Sequence, residues 1–311
     1  MTRVYLTQTL TDATMARLRE LFEVRIGPLA QANGYEVLVT TLQSPVDAAM
    51  IDALVPELKL IANFGAGVDH IDIAHAKSRG IMVSNTPSVL TEDTADVAMA
   101  LILAVPRRLG EAAQAVRKQE WEGWAPNYLL GRRVHGKTLG IVGMGRIGRA
   151  VAKRAAGFGL RVHYHQRTQL HPDVEREFDA TYAPTLDALL EQADILSLHC
   201  PYHLDNHHMI GAPQLHMMKR DAYLINTARG ALVDETALIY ALKEGIIAGA
   251  GLDVYEHAPT ISDALRELPN ALLLPHISSA TVESRDAMGQ RVIINIKTFV
   301  DGHKPPDRVL V

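Results

Sequence analysis

Residues 138–148, Thr-Leu-Gly-Ile-Val-Gly-Met-Gly-Arg-Ile-Gly, constrain this chain more than any other stretch. An apolar run of strand character passes into three glycines spaced G-x-G-x-x-G, and a helical segment over Arg149–Phe158 follows. Gly143 permits a tight turn, Gly145 lets the backbone approach a phosphate, and Gly148 lets helix and strand pack closely. A helix beginning there offers unpaired N–H groups and the positive end of its dipole to an anion. The motif alone also describes an ordinary glycine turn. With a strand before it, a helix after it and a second strand at Arg161–His165, a dinucleotide is the favoured ligand.

The same alternation runs through the chain. Strands are expected at Val4–Gln8, Phe22–Ile26, Leu58–Asn63 and Ile81–Ser84, with helical spacing over Asp12–Leu21 and Pro45–Leu54. Beyond Arg161–His165, further strands are expected at Asp194–His199, Ala222–Thr227, Ala248–Val254 and Leu272–Pro275. Strands and helices in alternation point to parallel, doubly wound sheets, and 311 residues suffice for two domains. A buried helix over Asp96–Val105 and a last helix over Val282–Val300 with no strand left to serve suggest an inserted domain. The expected division is 1–97 with 282–311 around 98–281.

Composition removes other classes. A net charge of −4 argues against a nucleic-acid binder. The longest apolar run, Val97–Val105, is too short to span a bilayer, and the opening residues lack the apolar core of a secretory signal. A lone Cys200 excludes an internal disulfide or a multi-thiolate metal site. A soluble, cytoplasmic protein is expected.

The end of the Arg161–His165 strand is where a carboxylate would hold the adenosine ribose of NAD. This chain reads His165-Gln166-Arg167-Thr168 there, and no Asp or Glu occurs between Gly148 and Asp173. A 2′-phosphate is then not repelled, Arg167 offers it a guanidinium fork, and Gln166 and Thr168 add hydrogen bonds. A surface arginine after a strand is the plainer alternative. NADP, with NADPH preferred over NADH, is the expected cofactor.

Three more stretches are specific: Asn226-Thr-Ala-Arg229-Gly-Ala-Leu-Val-Asp234-Glu235, Ala248-Gly-Ala-Gly-Leu-Asp253-Val-Tyr-Glu256, and Leu274-Pro275-His276-Ile-Ser278-Ser279. With Gly65-Ala66-Gly67-Val68-Asp69 and Gly143–Gly148, they resemble the D-isomer-specific 2-hydroxyacid dehydrogenases in order and over nearly the whole chain. The His-Gln-Arg-Thr strand end is similar to the NADPH-dependent glyoxylate and hydroxypyruvate reductase branch. The resemblance implies two Rossmann-like, doubly wound parallel-sheet α/β domains, the first flavodoxin-like and substrate-binding, with the active site in the cleft between them. It also implies a homodimer and a small 2-keto acid as substrate.

Within that resemblance, Arg229 would clamp the substrate carboxylate and polarise the carbonyl, and His276 would donate the proton. Backbone amides of Ala66 and Gly67 would bind the carboxylate, and Phe64 would help set the substrate's size. Thr94 and the Arg146–Ile147 turn would contact the pyrophosphate. Thr227, Ala228, Asp253 and Ser278 would lie toward the nicotinamide, and Cys200 and Pro201 near the adenine. As an isolated residue, Cys200 reads as packing rather than a nucleophile.

One departure stands out. The family places a glutamate five residues after the aspartate of Leu-Asp-Val, directly before a proline; here Ala258 precedes Pro259. That carboxylate would bond the catalytic histidine and favour its protonated form. Either Glu256 takes over from a shifted loop, or the protein works with a weaker acid, or the sequence is a substituted variant. His199, His203, His207 and His208 read as a solvated loop rather than a metal site. Two rival readings remain: the same fold with a larger sugar-derived or aromatic keto acid, and a nucleotide-sensing binding protein with little turnover.

Overall fold

The computed structural model describes residues 1–310. The chain opens with β1 (Arg3–Leu6), α1 (Asp12–Leu21), β2 (Glu23–Ile26), β3 (Val37–Thr40), α2 (Ala48–Leu54), β4 (Leu60–Asn63), α3 (Ile73–Ser78) and β5 (Met82–Ser84). Two helices follow, α4 (Thr91–Ala104) and α5 (Leu109–Arg117), then β6 (Thr138–Val142), α6 (Arg146–Gly157), β7 (Arg161–His165), α7 (Pro172–Glu177) and β8 (Ala180–Tyr182). Next come α8 (Leu186–Gln192), β9 (Ile195–Leu198), α9 (Ala212–Met217), β10 (Tyr223–Asn226), α10 (Glu235–Lys243), β11 (Gly249–Leu252), α11 (Asp263–Arg266), β12 (Ala271–Leu273) and α12 (Val282–Val300).

The chain divides into two compact units, Met1–Leu90 with the segment from Ser279 onward, and Thr91–Ser278. The first holds a five-stranded sheet in the order β2-β1-β3-β4-β5, every pair parallel. The second holds a seven-stranded parallel sheet in the order β12-β11-β10-β9-β6-β7-β8. Both are doubly wound α/β units, as the alternation predicts.

Each sheet is buried on both faces, which is why its strands are continuous apolar runs. In the first unit, Met15 and Leu18 of α1 and Met288, Val292 and Ile296 of α12 cover Val4, Leu6, Val37 and Val39. On the other face, Ile51 and Leu54 of α2 and Ala76 of α3 cover Leu38 and Ile61. The last helix therefore completes the core of the first unit, and burial of its three apolar side chains contributes roughly 5–9 kcal/mol. Its start is fixed by Thr281, whose hydroxyl accepts from the Ser284 N–H at 3.0 Å.

Several elements differ from the sequence expectation. β3, β8 and α3 were not foreseen, and most strands are a residue or two shorter at one or both ends. The unit boundaries fall at 90/91 and 278/279 rather than 97/98 and 281/282. The first shift arises because α4 starts at Thr91, five residues before Asp96, where Glu92 and Asp93 meet the positive end of the helix dipole. Among the described residues, no helix is long and apolar enough to cross a membrane.

Candidate active site

The glycine run sits where the order of the larger sheet reverses, between β6 and β9, the point at which doubly wound sheets take ligands. Gly143 has φ +94°, and a Cβ there would come within 2.7 Å of the Cys200 backbone nitrogen. Gly148 has no room for a side chain against the Gly143 carbonyl. Gly145 is the opposite case: a Cβ would meet nothing within 4 Å, so open space lies beside the backbone. Gly145 caps α6 without a side-chain bond, and the helix starts at Arg146, three residues before the sequence reading placed it. The amides of Arg146, Ile147 and Gly148 thus form the helix's N-terminal turn.

Other expected cofactor residues of this unit have defined places. Thr94 is buried near the start of α4. Cys200 follows β9, and burial pushes its thiol up to about 11, which fits packing rather than reactivity. Pro201 next to it is exposed. The Thr227 hydroxyl, just past β10, is buried and has no hydrogen-bond partner among the described residues. An open glycine turn, an uncapped helix start and an orphaned hydroxyl are features that a bound dinucleotide would satisfy.

At the end of β7 the structure separates three residues that the sequence grouped. Gln166 does not extend toward a ligand: its Oε1 accepts from the Met144 N–H at 3.0 Å and its Nε2 donates to the Thr168 carbonyl at 2.7 Å. It ties the glycine turn to the strand end instead. Arg167 and Thr168 are exposed, and Arg167 makes no ion pair among the described residues.

Arg229 is held by a turn built on Asn226, the last residue of β10. The Asn226 Oδ1 accepts from the Ala228 N–H at 3.0 Å, and its Nδ2 donates to the Arg229 carbonyl at 2.8 Å. The guanidinium donates to the Ala228 carbonyl at 2.8 Å. Gly230 lies directly against the backbone of Tyr255 and Glu256, leaving no space for a Cβ. His276 has φ +56°, a left-handed conformation that costs a non-glycine residue on the order of 1–3 kcal/mol. The strain is offset from below. The fully buried Asp253 carboxylate, just past β11, accepts from the N–H groups of Ile277 at 2.8 Å and Ser278 at 2.9 Å. Asp253 was expected beside the nicotinamide; both of its oxygens are engaged by the histidine loop, which makes it a positioning residue. Asn226 had no assigned role in the sequence reading, although a buried amide ending an apolar strand is a readable signal.

Glu256 does not stand in for the carboxylate missing at Ala258. Its Oε1 accepts from His208 Nε2 at 2.6 Å and its Oε2 accepts from the Glu235 N–H at 3.3 Å, while Ala258 is exposed. His207, His208 and Glu256 bring three potential ligand atoms within 4.8 Å of one another. The two imidazoles, however, stack at 3.8 Å and 22°. A metal lies near the plane of each imidazole that binds it, and two stacked planes share no such point close by.

In the first unit, the loop after β4 is organised by two asparagines that the sequence reading missed. Asn63 Nδ2 donates to the carbonyls of Gly65 at 2.9 Å and Gly67 at 2.8 Å, and Asn85 Nδ2 donates to that of Ala66 at 2.7 Å. With the carbonyls turned inward, the amides of Ala66 and Gly67 make no hydrogen bond among the described residues. Phe64 opens the loop and is buried, with the Arg285 guanidinium 6.0 Å from its ring centre.

Comparison with known proteins shows the family. The model of the D-isomer-specific 2-hydroxyacid dehydrogenase NAD-binding domain matches residues 99–278. A glyoxylate reductase of Thermococcus litoralis is 45% identical over 321 aligned positions, covering 99% of this chain and 96% of the relative. A glyoxylate reductase of Korarchaeum cryptofilum is 44% identical, covering 99% and 95%. Among solved structures, a D-isomer-specific 2-hydroxyacid dehydrogenase from a Polaromonas species aligns with TM-score 0.93 at 40% identity, covering 100% of both chains. An NADPH-dependent glyoxylate/hydroxypyruvate reductase from Sinorhizobium meliloti, solved with NADP and malonate, aligns with TM-score 0.90 at 36% identity, covering 99% and 96%. The chain belongs to the D-isomer-specific 2-hydroxyacid dehydrogenase family and is an NAD(P)-dependent oxidoreductase.

Proposed function

We propose that this chain reduces a small 2-keto acid, glyoxylate or hydroxypyruvate, to the D-2-hydroxy acid, with NADPH preferred over NADH. The observation that carries the reading is the strained His276 backbone, held by Asp253 in the same unit as the Arg229 turn and the open glycine cradle. Backbone strain of that kind clusters at functional sites. Relatives named as glyoxylate reductases support the substrate class, and an NADP-bound structural neighbour supports the cofactor.

The cofactor would rest on Gly143, Gly145, Arg146, Ile147 and Gly148, with Thr94, Cys200, Pro201, Thr227, Ala228 and Ser278 around it. Bound there, it supplies the hydride. Arg229 holds the substrate carboxylate and draws negative charge onto the carbonyl oxygen. His276 delivers the proton to that oxygen. The N–H groups of Ala66 and Gly67 donate to the carboxylate as well, and Phe64 limits the side chain the substrate carries. Arg167 and Thr168 take the 2′-phosphate. A homodimer belongs to the same reading, supported by the exposed Val116, Trp121, Trp124 and Leu130, and so does a cytoplasmic location, for which the lone Cys200 speaks.

Absorbance loss of NADPH and NADH with a panel of 2-keto acids tests the proposal. Turnover of glyoxylate or hydroxypyruvate, faster with NADPH, is expected. Tight NADPH binding with no turnover on any acid would instead leave a nucleotide-sensing protein, the reading that Ala258 favours. Arg167→Ala should raise the KM for NADPH about tenfold or more and leave that for NADH nearly unchanged.

A further inference from the structure

Tyr164, the penultimate residue of β7, is fully buried, a place where a ring packs well but a hydroxyl is costly unless it is bonded. Its hydroxyl donates to Glu175 Oε1 of α7 at 2.6 Å and accepts from the Leu170 N–H at 2.9 Å. The same Glu175 oxygen accepts from Gln169 Nε2 at 2.9 Å. Burial and the Glu175 carboxylate push the phenol up to about 12, so it keeps its proton. Tyr164 and Gln169 in turn hold the Glu175 carboxyl below the usual carboxylate range. Donor and acceptor therefore stay matched across neutral pH.

These bonds enclose one turn, residues 166–170. At its start, the Gln166 carbonyl accepts from the Tyr182 hydroxyl at 3.2 Å, and Gln166 Nε2 donates to the Thr168 carbonyl at 2.7 Å. Tyr182 ends β8 directly opposite Tyr164, with the two ring centres 5.3 Å apart. At its end, Gln169 and Leu170 are tied to Glu175 and Tyr164. Arg167 and Thr168 lie between these anchors with exposed side chains, and the turn itself contains no Asp or Glu. A turn whose backbone is held at both ends does not have to be ordered when an anion binds to it.

We propose that Tyr164 and Glu175 are positioning residues for the cofactor's 2′-phosphate: their hydrogen bond fixes the 166–170 turn, so that Arg167 and Thr168 meet the phosphate from a backbone already in place. This rests on the proposed preference for NADPH and deepens it, by naming the buried pair through which the preference is set. Both side chains act through the turn rather than on the phosphate. NADH, which has a hydroxyl in place of that phosphate, gains little from the ordered turn.

The test measures dissociation constants for NADPH and NADH by fluorescence titration, in the wild type, Tyr164→Phe, Glu175→Ala, Arg167→Ala and the double variant of Tyr164→Phe with Arg167→Ala. Tyr164→Phe keeps the ring and removes only the hydroxyl. It is expected to weaken NADPH about three- to tenfold and NADH less than about twofold, with faster hydrogen exchange at the Leu170 amide. Glu175→Ala, at a half-exposed carboxylate, should do the same, and it serves as the test if Tyr164→Phe does not fold. With Arg167 already replaced, Tyr164→Phe should change NADPH binding little, because the two act as one unit. Equal weakening of both cofactors, unchanged NADPH binding in both variants, or a full additive loss in the double variant would overturn the proposal. If Arg167→Ala leaves the preference for NADPH intact, or the wild type has none, the reading of the 2′-phosphate site fails and the proposal with it. That result is distinct from an Arg167→Ala loss beside silent Tyr164→Phe and Glu175→Ala, which defeats the proposal alone.

Discussion

Asp253 shows how one buried carboxylate can hold the backbone around a side chain it does not touch. It holds two consecutive amides beyond His276, so its removal leaves both without an acceptor, at about 1–3 kcal/mol each. Asp253→Ala is expected to lower thermal stability by several degrees and kcat by tenfold or more, while NADPH binding measured by fluorescence changes little. Position 258 is the complementary case, a carboxylate that the chain does without. In the proposed mechanism His276 supplies the proton, and position 258 offers no carboxylate to favour its charged form. Ala258→Glu should move the falling limb of the pH–rate profile to higher pH. A profile identical to the parent's would show that nothing at 258 reaches His276.

The elements that escaped the sequence reading share a cause. β3 is four residues with every side chain buried, so it lacks the alternation that marks a strand exposed on one face. β8 has three residues at the edge of its sheet, and α3 only six, too few for a helical period to register. By contrast, β6, β7, α1 and α12 matched to the residue, because glycine turns, caps or long apolar spacing bound them. The proposed site residues divide the same way. Gly143, Arg229 and His276 were legible as motif members, whereas the supports, Asn63, Asn85 and Asn226, act through hydrogen bonds that no spacing reveals. Gln166 acts in the same way: its amide serves Met144 and Thr168. At the level of elements, α12 is the most consequential, since its apolar side chains close one face of the first unit's sheet. Ile296→Ala should cost about 2–5 kcal/mol, seen as an early transition in urea from the first unit with the second still folded.

Across the whole molecule, acid should weaken the fold in a defined window. Burial lowers the His199 imidazole to about 4, and its Nε2 shares a 2.8 Å hydrogen bond with Ser197. The unfolded chain takes up that proton near pH 6.5 and the folded one does not, so stability is complete above that value and falls as pH drops toward 4. The loss is on the order of 1–3 kcal/mol, given the partly accessible ring. Urea titrations between pH 7 and 4 should show a slope that His199→Gln flattens.

The divided first unit also has a bearing on how the protein is made. A ribosome releases the chain from residue 1 onward, and domains tend to fold as they emerge. Thr91–Ser278 is covalently whole before residues 288–296 are translated, so Val4, Leu6 and Met15 then still lack the wall formed by Met288, Val292 and Ile296. The opening strands of the first unit thus mature after the second unit is covalently whole, and their apolar surface stays open to chaperones until then. A stop codon ahead of residue 288 would spare the sequence of the first ninety residues and still deprive them of their native state.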